Sequence, residues 1–241
     1  MARRLSSPTN AGRFAKRPPP GRYESLDCIR TVALVRWRRH NILVVESAGD
    51  KKSFRTTILL LGTPRIEHDG VPVEVDTRKA IALASFLAVT RRGHTRDALA
   101  GLLWPEYNQT RARAALRRTL SSLGNAREEG WLLADRESVD LAHDTIWVDV
   151  ARFEDLLARC KTHGHPESKV CPECLPPLSE AVGLYRGDFM AGFGLRDSVA
   201  FDDWQFFQSE SLRRELAGAL ERLARGRAAI GEWEAAVAHA R

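Results

Sequence analysis

Thr110-Arg111-Ala112-Arg113-Ala114-Ala115-Leu116-Arg117-Arg118-Thr119-Leu120-Ser121-Ser122-Leu123 threads four arginines around an apolar spine. Ala112, Leu116, Leu120 and Leu123 recur at i, i+4, i+8 and i+11, which is one face of an α-helix. At roughly 100° per residue, Thr110, Arg111, Arg117 and Arg118 point away from that stripe. Arg113 lies closer to the stripe, where it meets backbone or an internal carboxylate. A helix of this kind is held by a small core on one side and offers guanidinium groups to phosphates and base edges on the other. It is expected to contact nucleic acid.

Upstream, Thr77 is placed to cap a helix from Arg78 to about Thr90, with Ala80, Leu83, Ala84, Leu87 and Ala88 inward. Arg91-Arg92-Gly93 terminates it. Thr95 caps a second helix from Arg96 to Trp104, which Pro105 stops. Trp104 is expected to pack inward. Glu106-Tyr107-Asn108-Gln109 then leads, exposed, into the arginine helix, which Gly124 ends. Before Thr77, Ile58 to Gly62 reads as an apolar strand, and Pro64 to Val75 folds back through Asp69-Gly70, a favoured hairpin turn. After the arginine helix, Trp131–Ala134 and Ser138–Leu141 form a hairpin around Asp135-Arg136-Glu137.

The formal charge of +6 is unevenly spread. Residues 77–125 hold nine Lys/Arg against two Asp/Glu, whereas residues 126–241 sum to −7. Outside residues 1–55, which net +9, positive charge is therefore concentrated around the three helices. Residues 1–56, with Arg3, Arg4, Arg13, Lys16, Arg17 and Pro18-Pro19-Pro20-Gly21, read as a basic, disordered extension. No run of about 18 apolar residues exists, so no membrane span or membrane partner is expected. No phosphate-cradling glycine loop and no Gly-x-Ser-x-Gly element occurs, and Gly192-Phe193-Gly194 reads as a turn. Asp202 and Asp203 suit the start of a long helix through the helix dipole. The chain is expected to be neither an enzyme nor a cofactor binder.

From residue 148 onward the pattern is helical: Val150–Leu157, Ser179–Tyr185, then Phe201 to about Arg225 with Leu212, Leu216, Leu220 and Leu223 buried, and a further helix after Gly231. Helix pairs joined by glycine breaks make tetratricopeptide-like (TPR-like) interaction surfaces. Trp233, Ala236 and Val237 begin a helix near Arg241, and an incomplete array is expected there. Within this half, His163, His165 and the knuckle-spaced Cys171-Pro172-Glu173-Cys174 offer two readings. One is a structural zinc clip built from one loop. The other is a polar loop with free thiols, and the sequence alone favours this one, with no tightly held metal.

Leu60-Leu61-Gly62, Asp69-Gly70, the three helices and the closing hairpin resemble the winged helix-turn-helix of response regulators such as OmpR, in which that hairpin is the wing. Leu102-Leu103-Trp104-Pro105, Ala112–Arg117, Leu184-Tyr185-Arg186-Gly187-Asp188-Phe189 and Phe201-Asp202-Asp203-Trp204 resemble the Streptomyces antibiotic regulatory protein (SARP) family more closely. The resemblance implies an α+β fold: a winged helix-turn-helix at 57–147, then a partial bacterial transcriptional activation domain of TPR-like helices at 148–241. It also implies a cytoplasmic, nucleoid-associated bacterial regulator that binds double-stranded promoter DNA, associates with itself on direct repeats and recruits RNA polymerase. Arg111, Arg117 and Arg118 are expected in or beside the major groove. Thr110, Arg113 and Ser121 add contacts, and Arg136 reaches the adjacent minor groove or backbone. Glu106, Tyr107, Asn108 and Gln109 are the polymerase-contact candidates. The competing reading is a helical interaction module whose winged helix binds protein; it predicts apolar or acidic residues on the face that the arginines occupy.

Overall fold

The computed structural model describes residues 54–75, 77–125, 130–166 and 169–240, so the expected basic extension lies almost wholly outside it. Strand β1 (Thr56–Leu59) pairs antiparallel with β2 (Arg65–His68), placing Ile58 opposite Ile66. The chain reverses through Asp69 and Gly70, both at positive φ (48° and 77°), into β3 (Val71–Pro72). Two left-handed residues in succession are what a type I′ hairpin needs, and Asp-Gly supplies them at low cost.

Helix α1 (Arg78–Thr90) is capped by the Thr77 hydroxyl, which accepts from the Ala80 amide. It ends where expected, at the Arg91-Arg92-Gly93 break: Arg91 takes the left-handed conformation and its amide returns to the Leu87 carbonyl. Strand β4 (His94–Thr95) follows, and Thr95 both pairs with the later hairpin and caps α2 (Arg96–Leu103). Helix α3 (Gln109–Asn125) buries Ala112, Leu116, Leu120 and Leu123 as its periodicity predicts, together with Ala115 and Thr119. Gly124 does not terminate it: the helix includes Asn125, the last residue described there. Strands β5 (Leu132–Ala134) and β6 (Ser138–Leu141) form the expected hairpin, with β6 in the middle of a three-stranded sheet ordered β4-β6-β5.

The next element departs from the sequence expectation. Ile146–Val148 is a strand, β7, lying parallel to β1 with Val148 beside Ile58, and it gives a four-stranded sheet ordered β3-β2-β1-β7. A boundary between residues 147 and 148 therefore cuts through β7. Three residues paired with a strand ninety positions earlier leave no periodic signal of their own.

Helix α4 (Asp149–Lys161) starts directly from β7. Asp149 is 0% exposed. Its carboxylate accepts from the amides of Leu60 (2.8 and 2.9 Å), Leu61 (3.0 Å) and Val150 (2.9 Å), and from Arg186 Nη2 at 2.8 Å. Burial pushes its carboxyl above the usual range, against the opposing pull of the Leu61 and Leu60 amides and the Arg186 guanidinium.

A loop and a 3-10 turn (Pro172–Cys174) lead to α5 (Leu175–Leu184). The Arg186–Ala191 segment then runs along the end of β1: Gly62 donates to Asp188, Met190 to Leu60 and Ala191 to Gly62. Gly62 and Gly187 face each other where these backbones cross, and a Cβ on Gly187 meets Gly62 Cα at 3.4 Å. Helix α6 (Val199–Ala229) is capped by Ser198 and packs on α5 and α7 (Trp233–Ala240). Leu212 and Leu223 are buried as expected, but Leu216 and Leu220 are only partly covered, with Ala219 and Gly226 taking the inner positions. The helix touches neighbours on more than one side, so no single leucine stripe describes it.

A continuous core runs from Ile58 in β1 to Leu223 in α6. Further ties hold α1 and α2 to the helical half: from α1, Arg78 donates to the Gly194 carbonyl at 2.9 and 3.1 Å and Lys79 pairs with Asp197 at 2.7 Å, and on α2 the Leu102 carbonyl accepts from Ser198 at 2.6 Å. No helix among the described residues is long and apolar enough to cross a membrane.

Candidate nucleic-acid interface

Helix α3 presents Thr110, Arg111, Arg117, Arg118 and Ser121 to solvent, with Ala114 half-buried between them. On a helical wheel these positions fall within an arc of roughly 120°, opposite the buried stripe. From Thr110 to Ser121 the arc extends about 16 Å, close to five base-pair steps. Two side chains fix where the arc begins. The Asn108 side-chain Oδ1 accepts from the Arg111 amide at 3.0 Å, which makes Asn108 the helix N-cap. The Tyr107 ring lies under the Arg111 guanidinium at 4.0 Å, holding that side chain by a cation–π contact. Neither Arg117 nor Arg118 forms an ion pair with a described residue.

Arg113 differs from the other three arginines. Its guanidinium grips both carboxylate oxygens of Asp97 in α2, and Gln109 joins the same carboxylate at 3.4 Å. The hydrogen bonds from Arg113 hold the Asp97 carboxyl below its ordinary range, and Asp97 in turn raises Arg113. The pair is half exposed on both sides, so solvent screens it and it acts mainly as a strut fixing α3 to α2. This is the internal carboxylate contact that the position of Arg113 beside the stripe suggests.

Opposite α3, the β5–β6 tip is built to keep one arginine exposed. Asp135 Oδ1 accepts from the Glu137 and Ser138 amides at 2.7 Å, and its Oδ2 accepts from the Ser138 hydroxyl at 3.0 Å. Those bonds, the Ser138 amide first, hold the Asp135 carboxyl below its ordinary range. Arg96 donates to the Asp135 carbonyl at 2.7 Å, pinning the tip to α2. Arg136 is left outward. Between α3 and this tip runs an open cleft of about 570 Å³ lined by Arg96, Arg113, Leu116, Arg117, Ala134, Asp135 and Arg136. Four guanidinium groups thus face a channel whose carboxylates, Asp135 and the adjacent Asp97, are already engaged. Such a channel suits a phosphate backbone. Arg96 was missed by the sequence reading, which treated it only as the first residue of a capped helix.

The polymerase-contact candidates divide. Glu106 is exposed and reaches Lys79 at 3.7 Å. Tyr107 is half-buried, and Asn108 and Gln109 carry the capping and strut contacts above. Trp104 is buried as expected, with the Lys79 ammonium 5.1 Å from its ring centre. On the helical half, the side chains of His163, His165, Cys171 and Cys174 converge.

No protein-family model matches the chain, and no curated protein matches it. Among solved structures it is similar to Mycobacterium tuberculosis EmbR in complex with a low affinity phosphopeptide, with a TM-score of 0.57 and 26% sequence identity. The match covers 73% of this chain and 48% of that one, so the chain spans about half the length of its structural neighbour.

Proposed function

We propose that this chain is a SARP-type transcriptional regulator that binds double-stranded promoter DNA in a sequence-specific way. In this reading residues 57–148 act as a winged helix-turn-helix: α3 enters the major groove and the β5–β6 hairpin is the wing. Arg111, Arg117 and Arg118 supply base-edge and phosphate contacts, Thr110 and Ser121 add shorter ones, and Arg136 meets the neighbouring backbone or minor groove. Arg96 and Arg113 line the phosphate channel between them. The observation that carries the proposal is the exposed arc of α3, whose Arg117 and Arg118 have no described carboxylate partner, facing Arg136 across a basic cleft. A solvated helix face of no function ordinarily mixes acids among its bases; this one has none between Arg111 and Arg118. The likeness to EmbR, a SARP-family transcriptional regulator, supports the regulatory role.

The helical half is assigned to protein contact. Phe206 and Phe207 on α6 and Trp233 on α7 are 60%, 69% and 64% exposed, whereas the outer arc of α3 carries no large apolar residue. This division favours DNA for α3 and protein for the helices, over a module that binds protein throughout. RNA polymerase, met through the Glu106 corner and the helices, is the partner that an activator of this architecture requires, with self-association on repeated sites.

The test is to mix the full chain with fragmented DNA of its own genome at near-physiological salt, then sequence what is retained. The reading expects a shared, directly repeated motif upstream of start sites. Uniform recovery of all fragments, or none, overturns it. On such a promoter, Glu106→Ala is expected to lower activation while leaving affinity unchanged; equal loss of both limits Glu106 to its Lys79 contact.

A further inference from the structure

The chain between α4 and α5 is short of apolar residues yet brings four metal-ligating side chains to one point. His163 and His165 follow the end of α4, and Cys171 and Cys174 bracket the 3-10 turn that opens α5. One ligand atom from each of the four lies within 4.8 Å of all the others. His163 Nδ1 is 3.1 Å from Cys171 Sγ and 3.3 Å from Cys174 Sγ, His165 Nε2 is 3.2 Å from Cys174 Sγ, and the two sulfurs are 3.6 Å apart. Zinc–ligand bonds of about 2.3 Å to sulfur and 2.0 Å to nitrogen, set tetrahedrally, give edges of about 3.8 Å between sulfurs and 3.5 Å between sulfur and nitrogen. The four separations given above lie within about 0.4 Å of those edges, and the remaining pairs lie within 4.8 Å. A sulfur separation of 3.6 Å is far from a disulfide, whose bond is about 2.05 Å.

The surroundings orient the ligands as a metal site does. His165 Nδ1 is 3.1 Å from the Pro166 carbonyl, and His163 Nε2 is 3.5 Å from Glu173 Oε2. A proton on each of those nitrogens leaves His163 Nδ1 and His165 Nε2 as lone pairs aimed at the sulfurs. Outer carbonyl and carboxylate partners fix the tautomers of zinc-binding histidines in this manner. Cys174 is buried and Cys171 half-buried, so the inner side of the site is closed. We propose that His163, His165, Cys171 and Cys174 hold one structural zinc ion that clips the α4–α5 hairpin. Two sulfurs and two imidazoles are a donor set that selects zinc over hard cations, and four protein ligands leave no position for a substrate. Val170 and Leu175 flank the cysteines and press on α6 at Gly226, where an added Cβ meets them at 2.9 and 2.5 Å. The clip thereby sets the surface on which α6 docks.

Two measurements test this on the full chain, expressed with zinc and dialysed without chelator. Elemental analysis is expected to find zinc near one equivalent, and cobalt exchanged into the site to give the intense absorption of a tetrahedral thiolate complex. A double C171S and C174S variant is expected to lose the metal, while His143→Ala, outside the cluster, keeps it. If the double variant does not fold, thiol modification of the native chain is expected to release its zinc into a colorimetric chelator. Zinc far below one equivalent, an octahedral cobalt spectrum, zinc retained after loss or blocking of both thiols, or a Cys171–Cys174 disulfide in the purified chain overturns the proposal.

Discussion

Replacing Asp149 by alanine is expected to be among the most damaging single substitutions in the described residues, although Asp149 lies on neither the arginine face nor the Cys/His loop. The side chain is fully buried where β1, the start of α4 and Arg186 meet. Its loss orphans the amides of Leu60 and Leu61, both in the core at 1% and 0% exposure, where no water replaces the carboxylate. An orphaned buried donor costs about 1–3 kcal/mol, so the two together cost about 2–6 kcal/mol. Arg186 is about one-third exposed, so its guanidinium turns to water and adds little. Relief of burying the carboxylate offsets part of the cost, which leaves a net loss of about 1–4 kcal/mol. Asp149→Asn keeps one acceptor oxygen but turns an NH2 toward other donors, and about 1–3 kcal/mol is expected. With a urea slope of about 2 kcal/mol per molar, the alanine variant moves the unfolding midpoint down by about 1 M. Urea unfolding followed by far-ultraviolet circular dichroism reads this directly.

The same comparison carries a pH signature. Because the folded state raises the Asp149 pKa, it binds that proton more tightly than the unfolded chain does. Stability from this group is therefore full below the unfolded value of about 3.9 and falls as pH rises through the folded value. The difference between wild type and Asp149→Asn should shrink over that window. A loss under about 1 kcal/mol for Asp149→Ala, no greater than for Arg186→Ala, refutes the argument that the carboxylate is held chiefly by buried amides.

Two further outcomes follow from the geometry. Asp97→Ala frees the Arg113 guanidinium beside the cleft and is expected to tighten binding to all DNA sequences alike, steepening the salt dependence by about one unit in log–log slope; titrations at several salt concentrations read it. Gly226→Ala forces Val170 and Leu175 from the α6 surface and is expected to cost about 1–3 kcal/mol in urea unfolding with DNA affinity unchanged.

What the sequence disclosed, and what it hid, follows from how local each signal is. Helix α3 was legible because its packing face and its arginine face repeat every few residues, and the caps Thr77 and Thr95 sit beside the turns they close. Strands β4 and β7 are two and three residues long, and their partners are distant in the chain, so no pattern within them announces pairing. Asn108 looked like a surface residue of an exposed loop; its place three residues before Arg111 was a cap signal that the functional reading overshadowed. The Cys/His spacing was visible, but whether four ligands meet depends on how α4 and α5 turn back on each other. That is a property of the packed hairpin and not of the loop's own residues.

The central claim is that Arg111, Arg117 and Arg118 hold DNA. Its most direct measurement is the salt dependence of binding to a promoter fragment selected from the genome, for the native chain and for the triple alanine variant with native circular dichroism. The account predicts a loss of affinity of at least a hundredfold, from about 1–3 kcal/mol per base-reading arginine, with the log–log salt slope reduced by about one for each phosphate contact removed. A folded triple variant that binds the same fragment with unchanged affinity and slope contradicts it.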